Sequence, residues 1–279
     1  MKFGVPLGVL RPNCHTDVTI AADELGFESV WLPEHLIFPV DMSGSPHPGS
    51  STPPVPPETP VFDAFAYLCY LAGRTSRIRL GTNVYLPALR HPFVFARAVQ
   101  TLDLVSNGRA EIGIGTGWLA TEYAAAGIDF KTRGRRTDEI LTIARRLWTE
   151  EAVAHKGTFY EFEAVKFEPK PIQSPHPPLH IGGESDAALR RAVRFGAGWV
   201  GLAHTIEDVR EPIARLEQFR SDAGVTAKTE ITVMGKLDDP ADIERWQDAG
   251  VDRLIVAPWK RSSEAVGALR AFADRFPVV

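Results

Sequence analysis

Six short clusters in this chain carry the residue types that chemistry needs, and each follows an apolar run. They are Pro33-Glu34-His35, Thr82-Asn83-Val84-Tyr85, Thr116-Gly117-Trp118, Gly182-Gly183-Glu184-Ser185, Leu202-Ala203-His204 and Pro258-Trp259. A histidine beside a carboxylate can exchange a proton with a bound substrate, so His35 and Glu34 are the candidate catalytic pair. Gly182-Gly183-Glu184-Ser185 follows Leu179-His180-Ile181 and opens a helix-like segment, Ala187 to Phe195. Successive N–H groups at such a turn, with the positive helix end, can seat a phosphate. The competing reading is a plain strand-to-helix turn in which Ser185 is the N-cap. Trp118 is placed to stack on a ligand, Glu122 lies one helical turn further on, and His204 is a possible pocket residue.

The two runs Ile78 to Val84 and Ala110 to Gly117 start apolar and end in Gly, Thr and Asn. Such strand ends leave room for something large against the backbone, which points to a cofactor resting on parallel strands. Gly113-x-Gly115-x-Gly117 is not the Gly-x-Gly-x-x-Gly dinucleotide spacing, and no acidic strand end follows about 20 residues later. No cluster has metal-ligand spacing, and Gly-x-Ser-x-Gly is absent. Lys236 is the one lysine near a strand end, which leaves little for a phosphate-substrate isomerase or lyase.

The elements that would position these clusters alternate. Strand candidates begin near Lys2, Glu28, Ile78, Ala110, Leu179, Gly198, Glu230 and Arg253, each followed by a helix-like segment. Val18, Ala21, Ala22 and Leu25 share one face of a helix over about Thr16 to Leu25, which Gly26 ends. The helix–glycine–strand phrase returns at Gly196 and Gly250. Thr205 and Asp239 read as N-caps, the latter before Pro240. Eight such units in 279 residues predict an α/β chain folded as a (β/α)8 barrel in one domain, 1–279, with an open doubly wound sheet as the alternative. Two insertions interrupt the count. One, Ile37 to Pro60, holds eight prolines and would lie over the barrel mouth as a loop or lid. The other, about His155 to Pro178, reads as a hairpin of Phe159–Phe162 and Ala164–Phe167. It follows a long helix near Arg135 to Thr149 with an Ile140, Ile143, Ala144, Leu147, Trp148 stripe.

Composition is that of a globular chain, 44% hydrophobic and 24% charged, with a net charge of -4. That balance argues against broad nucleic-acid or anionic-membrane binding. The two cysteines, Cys14 and Cys69, lack metal spacing and suit a reducing compartment. With no membrane-length apolar run and no signal peptide, a cytoplasmic protein is expected.

The stretches Gly26 to His35, Arg79 to Val84, Arg90-His91-Pro92, Asp103 to Arg109, Gly113 to Trp118 and Pro178 to Gly183 resemble the bacterial luciferase-like superfamily. The resemblance is strongest to its coenzyme F420-dependent oxidoreductases. It implies an insertion-bearing barrel with a deazaflavin or flavin (F420, alternatively FMN) across the C-terminal mouth. It further implies a non-prolyl cis peptide at Asn83-Val84, with Thr82, Asn83, Val84, Thr116 and Gly117 near the ring. Gly182, Gly183, Glu184 and Ser185 would hold the phosphate, and His35 would sit at the reactive face. The sugar-phosphate dehydrogenase branch has an acidic residue where this chain has Trp118, and a tryptophan shortly after the histidine that this chain lacks after His35. An apolar or carbonyl-bearing small molecule is therefore expected rather than a sugar phosphate. The resemblance favours a homodimer. Three activities stay open: hydride transfer with F420, FMN-dependent monooxygenation, and cofactor binding without turnover.

Overall fold

A computed structural model describes residues 1–42 and 55–278, so half of the proline-rich insertion, residues 43–54, lies outside the described residues. Eight strands close into a barrel: β1 (Lys2–Pro6), β2 (Ser29–Leu32), β3 (Arg79–Thr82), β4 (Ala110–Ile114), β7 (Leu179–Gly182), β8 (Gly198–Ala203), β9 (Glu230–Met234) and β10 (Arg253–Ile255). Every ladder in it is parallel, and β10 pairs with β1 to complete the circle. Closure leaves no strand edge, and each parallel pair needs a crossover, which helices supply. The helices are α1 (His15–Leu25), α2 (Ala64–Ala72), α3 (Pro92–Val105), α4 (Ala120–Ala125), α5 (Arg133–Thr149), α6 (Asp186–Phe195), α7 (Arg210–Asp222), α8 (Asp242–Asp248) and α9 (Ala265–Arg275). This is the expected (β/α)8 barrel rather than an open sheet. Among the described residues no helix is long and apolar enough to cross a membrane.

Local signals set the boundaries. Gly26 ends α1 in the left-handed region, φ 90°. His91 Nδ1 accepts the Phe93 N–H and Pro92 takes the first helical position of α3, so His91 is a cap. Thr205 and Asp208 bond reciprocally, side chain to backbone, and cap the turn ahead of α7. The inserted hairpin differs from expectation. Its first arm is β5 (Val153–Lys156), it pairs with β6 (Glu161–Val165), and Phe159 and Tyr160 fall in the turn. Glu139 causes the shift: its carboxylate accepts the N–H groups of Thr158, Phe159 and Tyr160 and holds them as a loop.

The barrel interior is filled rather than hollow. Trp31 projects across it, and a methyl group at Gly81 would stand 2.5 Å from its ring. Toward the N-terminal ends of the strands lies a buried ionic layer. Arg253, fully buried, reaches both oxygens of Glu28 at 2.8 Å, Thr232 Oγ1 at 3.0 Å and the Trp31 ring face at 5.2 Å. Glu111 bonds Arg79 and His180. Burial alone pushes a carboxyl up, yet His180, Arg253 and Arg79 together hold Glu111 down to about 2. These groups fill the N-terminal end of the barrel with paired charges.

Candidate active site

At the C-terminal mouth a cavity of about 380 Å³ opens between the loops that follow β1, β2, β3, β4, β7 and β8. The mouth is not plugged. Its floor is Val84, and its walls include His35, Trp118, Phe38 and the Gly182-Gly183 turn. That size lies within the range of small-molecule sites.

The floor explains the glycines. The Asn83-Val84 peptide is cis, and the chain bulges there. Tyr85 N–H bonds Gly113 O at 2.8 Å, and Gly115 N–H bonds Tyr85 O at 2.9 Å, so β3 and β4 continue in contact past the bulge. A side chain at Gly113 would collide with the Thr82 carbonyl, and one at Gly115 with a Val84 methyl. At Gly182 it would stand 2.8 Å from Val84 Cγ1. Glycine at 113 and 115 therefore makes room for the chain's own bulge. The expected flat ring would meet Val84 first, and not the bare backbone of those strands.

Of the predicted ring contacts, Asn83, Val84, Thr116 and Gly117 line the cavity. Thr82 does not. It is fully buried, and its hydroxyl donates to Gly113 O at 2.7 Å, which ties β3 to β4. Gly117 (φ 73°) and Gly183 (φ 103°) both need the left-handed freedom of glycine. Gly183 turns its carbonyl to Trp199 Nε1, 2.8 Å away.

The phosphate-turn residues divide. Gly182 and Gly183 face the cavity, whereas Glu184 and Ser185 do not. Ser185 is the N-cap of α6 and accepts the Ala188 N–H. Glu184 accepts from Leu202 N at 3.0 Å and from His204 Nε2 at 2.7 Å. His204 also bonds Asp208 Oδ1, 2.7 Å away, and contrary to the sequence expectation it does not line the pocket. The hydrogen bond to Glu184, then that to Asp208, raises His204 above the ordinary imidazole value against the opposing effect of burial. Lys236 is likewise off the wall, and its carbonyl accepts Trp246 Nε1.

His35 sits on the wall with Phe38 against one face, centroids 4.5 Å apart, and Trp118 edge-on at 5.9 Å. Its Nδ1 lies 3.0 Å from Glu122 Oε2. Glu122 is fully buried behind the wall, and its other oxygen accepts the Leu36 N–H at 2.6 Å. It was expected to face the pocket; instead it faces the loop that carries His35. Glu34 borders the cavity, but its oxygens are taken by Arg90 and by Leu86 N–H at 3.1 Å. Burial raises its carboxyl above the usual range, and the adjacent Arg90 guanidinium opposes that rise. With its oxygens so engaged, Glu34 anchors the loop after β3 rather than pairing with His35. Arg90, whose guanidinium also covers the Tyr85 ring at 4.6 Å, was missed; the Arg90-His91-Pro92 run was the only sign of it.

No lysine or arginine lines the cavity among the described residues. Nor do they contain a group of three or more His, Cys, Asp or Glu placed to hold a metal.

The luciferase-like monooxygenase family model matches residues 8–253. An uncharacterized protein of Mycobacterium tuberculosis is 30% identical over 250 residues, 88% of each chain. An F420-dependent glucose-6-phosphate dehydrogenase of Amycolatopsis mediterranei is 32% identical over 193 residues, 68% of this chain and 53% of the relative. Two solved structures share the fold. One is an F420-dependent secondary alcohol dehydrogenase (TM-score 0.78, 18% identity, covering 100% of this chain and 98% of that one). The other is monooxygenase RslO1 from Streptomyces bottropensis (TM-score 0.74, 24% identity, 99% and 98%). With a mouth built on a bulged third strand and a model match over most of its length, this chain is an enzyme of the luciferase-like monooxygenase family.

Proposed function

We propose that the protein is an F420-dependent oxidoreductase that acts on a small, uncharged and largely apolar alcohol or carbonyl compound. The observation that carries this reading is the make-up of the cavity: His35 and Val84 both line it, and among the described residues no lysine or arginine does. Apolar side chains such as Leu10, Phe38, Phe62, Trp118 and Leu202 surround that space. A phosphorylated sugar would leave its dianion unpaired among them, which is costly. The same argument separates the two cofactors. F420 carries a phosphodiester with one charge, which the Gly182-Gly183 turn and the α6 N-terminus suit. FMN carries a phosphate monoester, whose second charge would find no lysine or arginine on the described wall.

When bound, F420 supplies two-electron hydride chemistry. The chain supplies the rest. Asn83 and Val84 would form the platform, and Gly182 and Gly183 would hold the phosphate. Trp118 and Phe38 would keep water from the reacting atoms, and His35 would give or take a proton within about 3 Å of the substrate oxygen. The reading includes a cytoplasmic homodimer, supported by two free cysteines and by exposed Tyr70, Val94 and Val105 on α2 and α3; light scattering tests the dimer.

Titrating the protein with F420 and with FMN tests the cofactor. Tight FMN binding without F420 binding would overturn it in favour of a flavin monooxygenase, a reading favoured by the fold shared with RslO1. Binding of F420 with no change in its oxidation state over a panel of alcohols and ketones would make the protein a cofactor-binding barrel.

A further inference from the structure

We infer that Glu122 is a positioning residue that fixes the tautomer of His35, keeping a proton on Nδ1 so that Nε2 meets the substrate as an acceptor. This rests on the reading of His35 as the group that handles the substrate proton. A carboxylate accepts hydrogen bonds and does not donate them, so the 3.0 Å approach of Glu122 Oε2 requires N–H at His35 Nδ1. Neutral imidazole carries one proton, so Nε2 is then bare. Nε2 has no hydrogen-bond partner among the described residues, and His35 lines the cavity.

The carboxylate is itself locked. Its side chain is 0% exposed, and Oε1 accepts Leu36 N–H at 2.6 Å and Ile37 N–H at 3.4 Å. One buried group thus sets both the path of the loop and the proton on the ring it carries. The consequence is directional. The resting site presents a base, suited to a substrate that bears a hydroxyl hydrogen, and a proton leaving that hydroxyl has Nε2 as its acceptor. Once Nε2 has taken that proton both ring nitrogens carry hydrogen, and Nδ1–H still donates to Glu122 Oε2.

A purely structural Glu122 would hold the loop through Leu36 and Ile37 and leave the tautomer free. Glu122→Gln separates the two roles. The amide oxygen can keep the Leu36 N–H bond, while the amide N–H₂ turns toward Nδ1 and drives the ring proton to Nε2. The experiment is 15N NMR of the full chain labelled at histidine, with the His35 signals identified by their loss in His35→Asn. In the wild-type neutral ring Nδ1 is expected to be protonated and Nε2 bare, and in Glu122→Gln the reverse. Fluorescence titration should give the variant an F420 affinity within about threefold of wild type, a shift of under 1 kcal/mol. A wild-type ring protonated at Nε2 overturns the inference, as does a Glu122→Gln ring unchanged from wild type. An F420 affinity lowered tenfold or more also overturns it, because Glu122 would then act through the cofactor. If the variant does not fold, the wild-type spectrum alone decides. The tautomer reading needs no cofactor, so failure of F420 to bind the wild type refutes the proposed function without touching this result.

Discussion

Gly182→Ala tests the platform directly. The added methyl would lie 2.8 Å from Val84 Cγ1, where carbon atoms ordinarily rest about 3.5–4.0 Å apart. It cannot retreat, because Ile114 O stands 3.3 Å away on one side and Val200 Cγ1 3.6 Å away on another. Val84 is β-branched and stiff about its first torsion, so the overlap passes to the Asn83-Val84 segment. Overpacking of this kind costs about 1–3 kcal/mol, and the blocked retreat places it near about 2 kcal/mol. For a chain of this size Tm should fall by about 4–8 °C, read by calorimetry. Displacing the floor should also weaken F420 about tenfold, about 1.4 kcal/mol, read by fluorescence titration. Val84→Ala removes the colliding methyl, so the double variant should recover much of the loss, with a coupling of about 1 kcal/mol or more. Gly267→Ala in α9 is the control, since its added methyl meets nothing within 4 Å. An unchanged Tm for Gly182→Ala, or additive single and double variants, would refute the packing argument.

Removing the Arg90 guanidinium with Arg90→Met strands a carboxylate whose side chain is 0% exposed and should cost about 3–5 kcal/mol in urea unfolding. The loss should grow as pH rises: without Arg90, burial raises Glu34 further, and an acid with a raised value favours the fold only while protonated. Glu111 behaves in the opposite sense. Its folded value is depressed from 4.5 to about 2, so its contribution is complete above about 4.5 and is lost as pH falls toward about 2; Glu111→Gln should flatten that part of the acid-unfolding curve. His35→Ala should lower kcat by about 10²–10⁴-fold with F420 affinity unchanged, and undiminished turnover would remove His35 from the chemistry.

The barrel was legible because its signals are local and repeated. Eight apolar runs, each closed by a turn and a helix of one apolar face, admit few arrangements. The third-strand bulge was legible only through the resemblance of Arg79 to Val84 to a known family, since Asn-Val carries no turn signal. The hairpin arms were misplaced because Glu139, on a separate helix, captures the N–H groups of Thr158, Phe159 and Tyr160. The buried ionic layer went unseen because Glu28, Glu111, His180, Glu230 and Arg253 lie far apart along the chain and only strand register unites them.

Strand and helix type and the glycine turn at 182 and 183 follow from residue pattern alone, because each depends on neighbours within a few positions. Which way a polar side chain points does not. Glu34 and Glu122 look alike in sequence, each an acid near a mouth residue, yet one is held by Arg90 and the other by the His35 loop. Thr82 and His204 end strands as Asn83 and Leu202 do, but packing turns them away from the cavity. Tertiary structure decides these roles, because a buried polar group goes wherever its hydrogen bonds can be satisfied, and those partners come from distant parts of the chain.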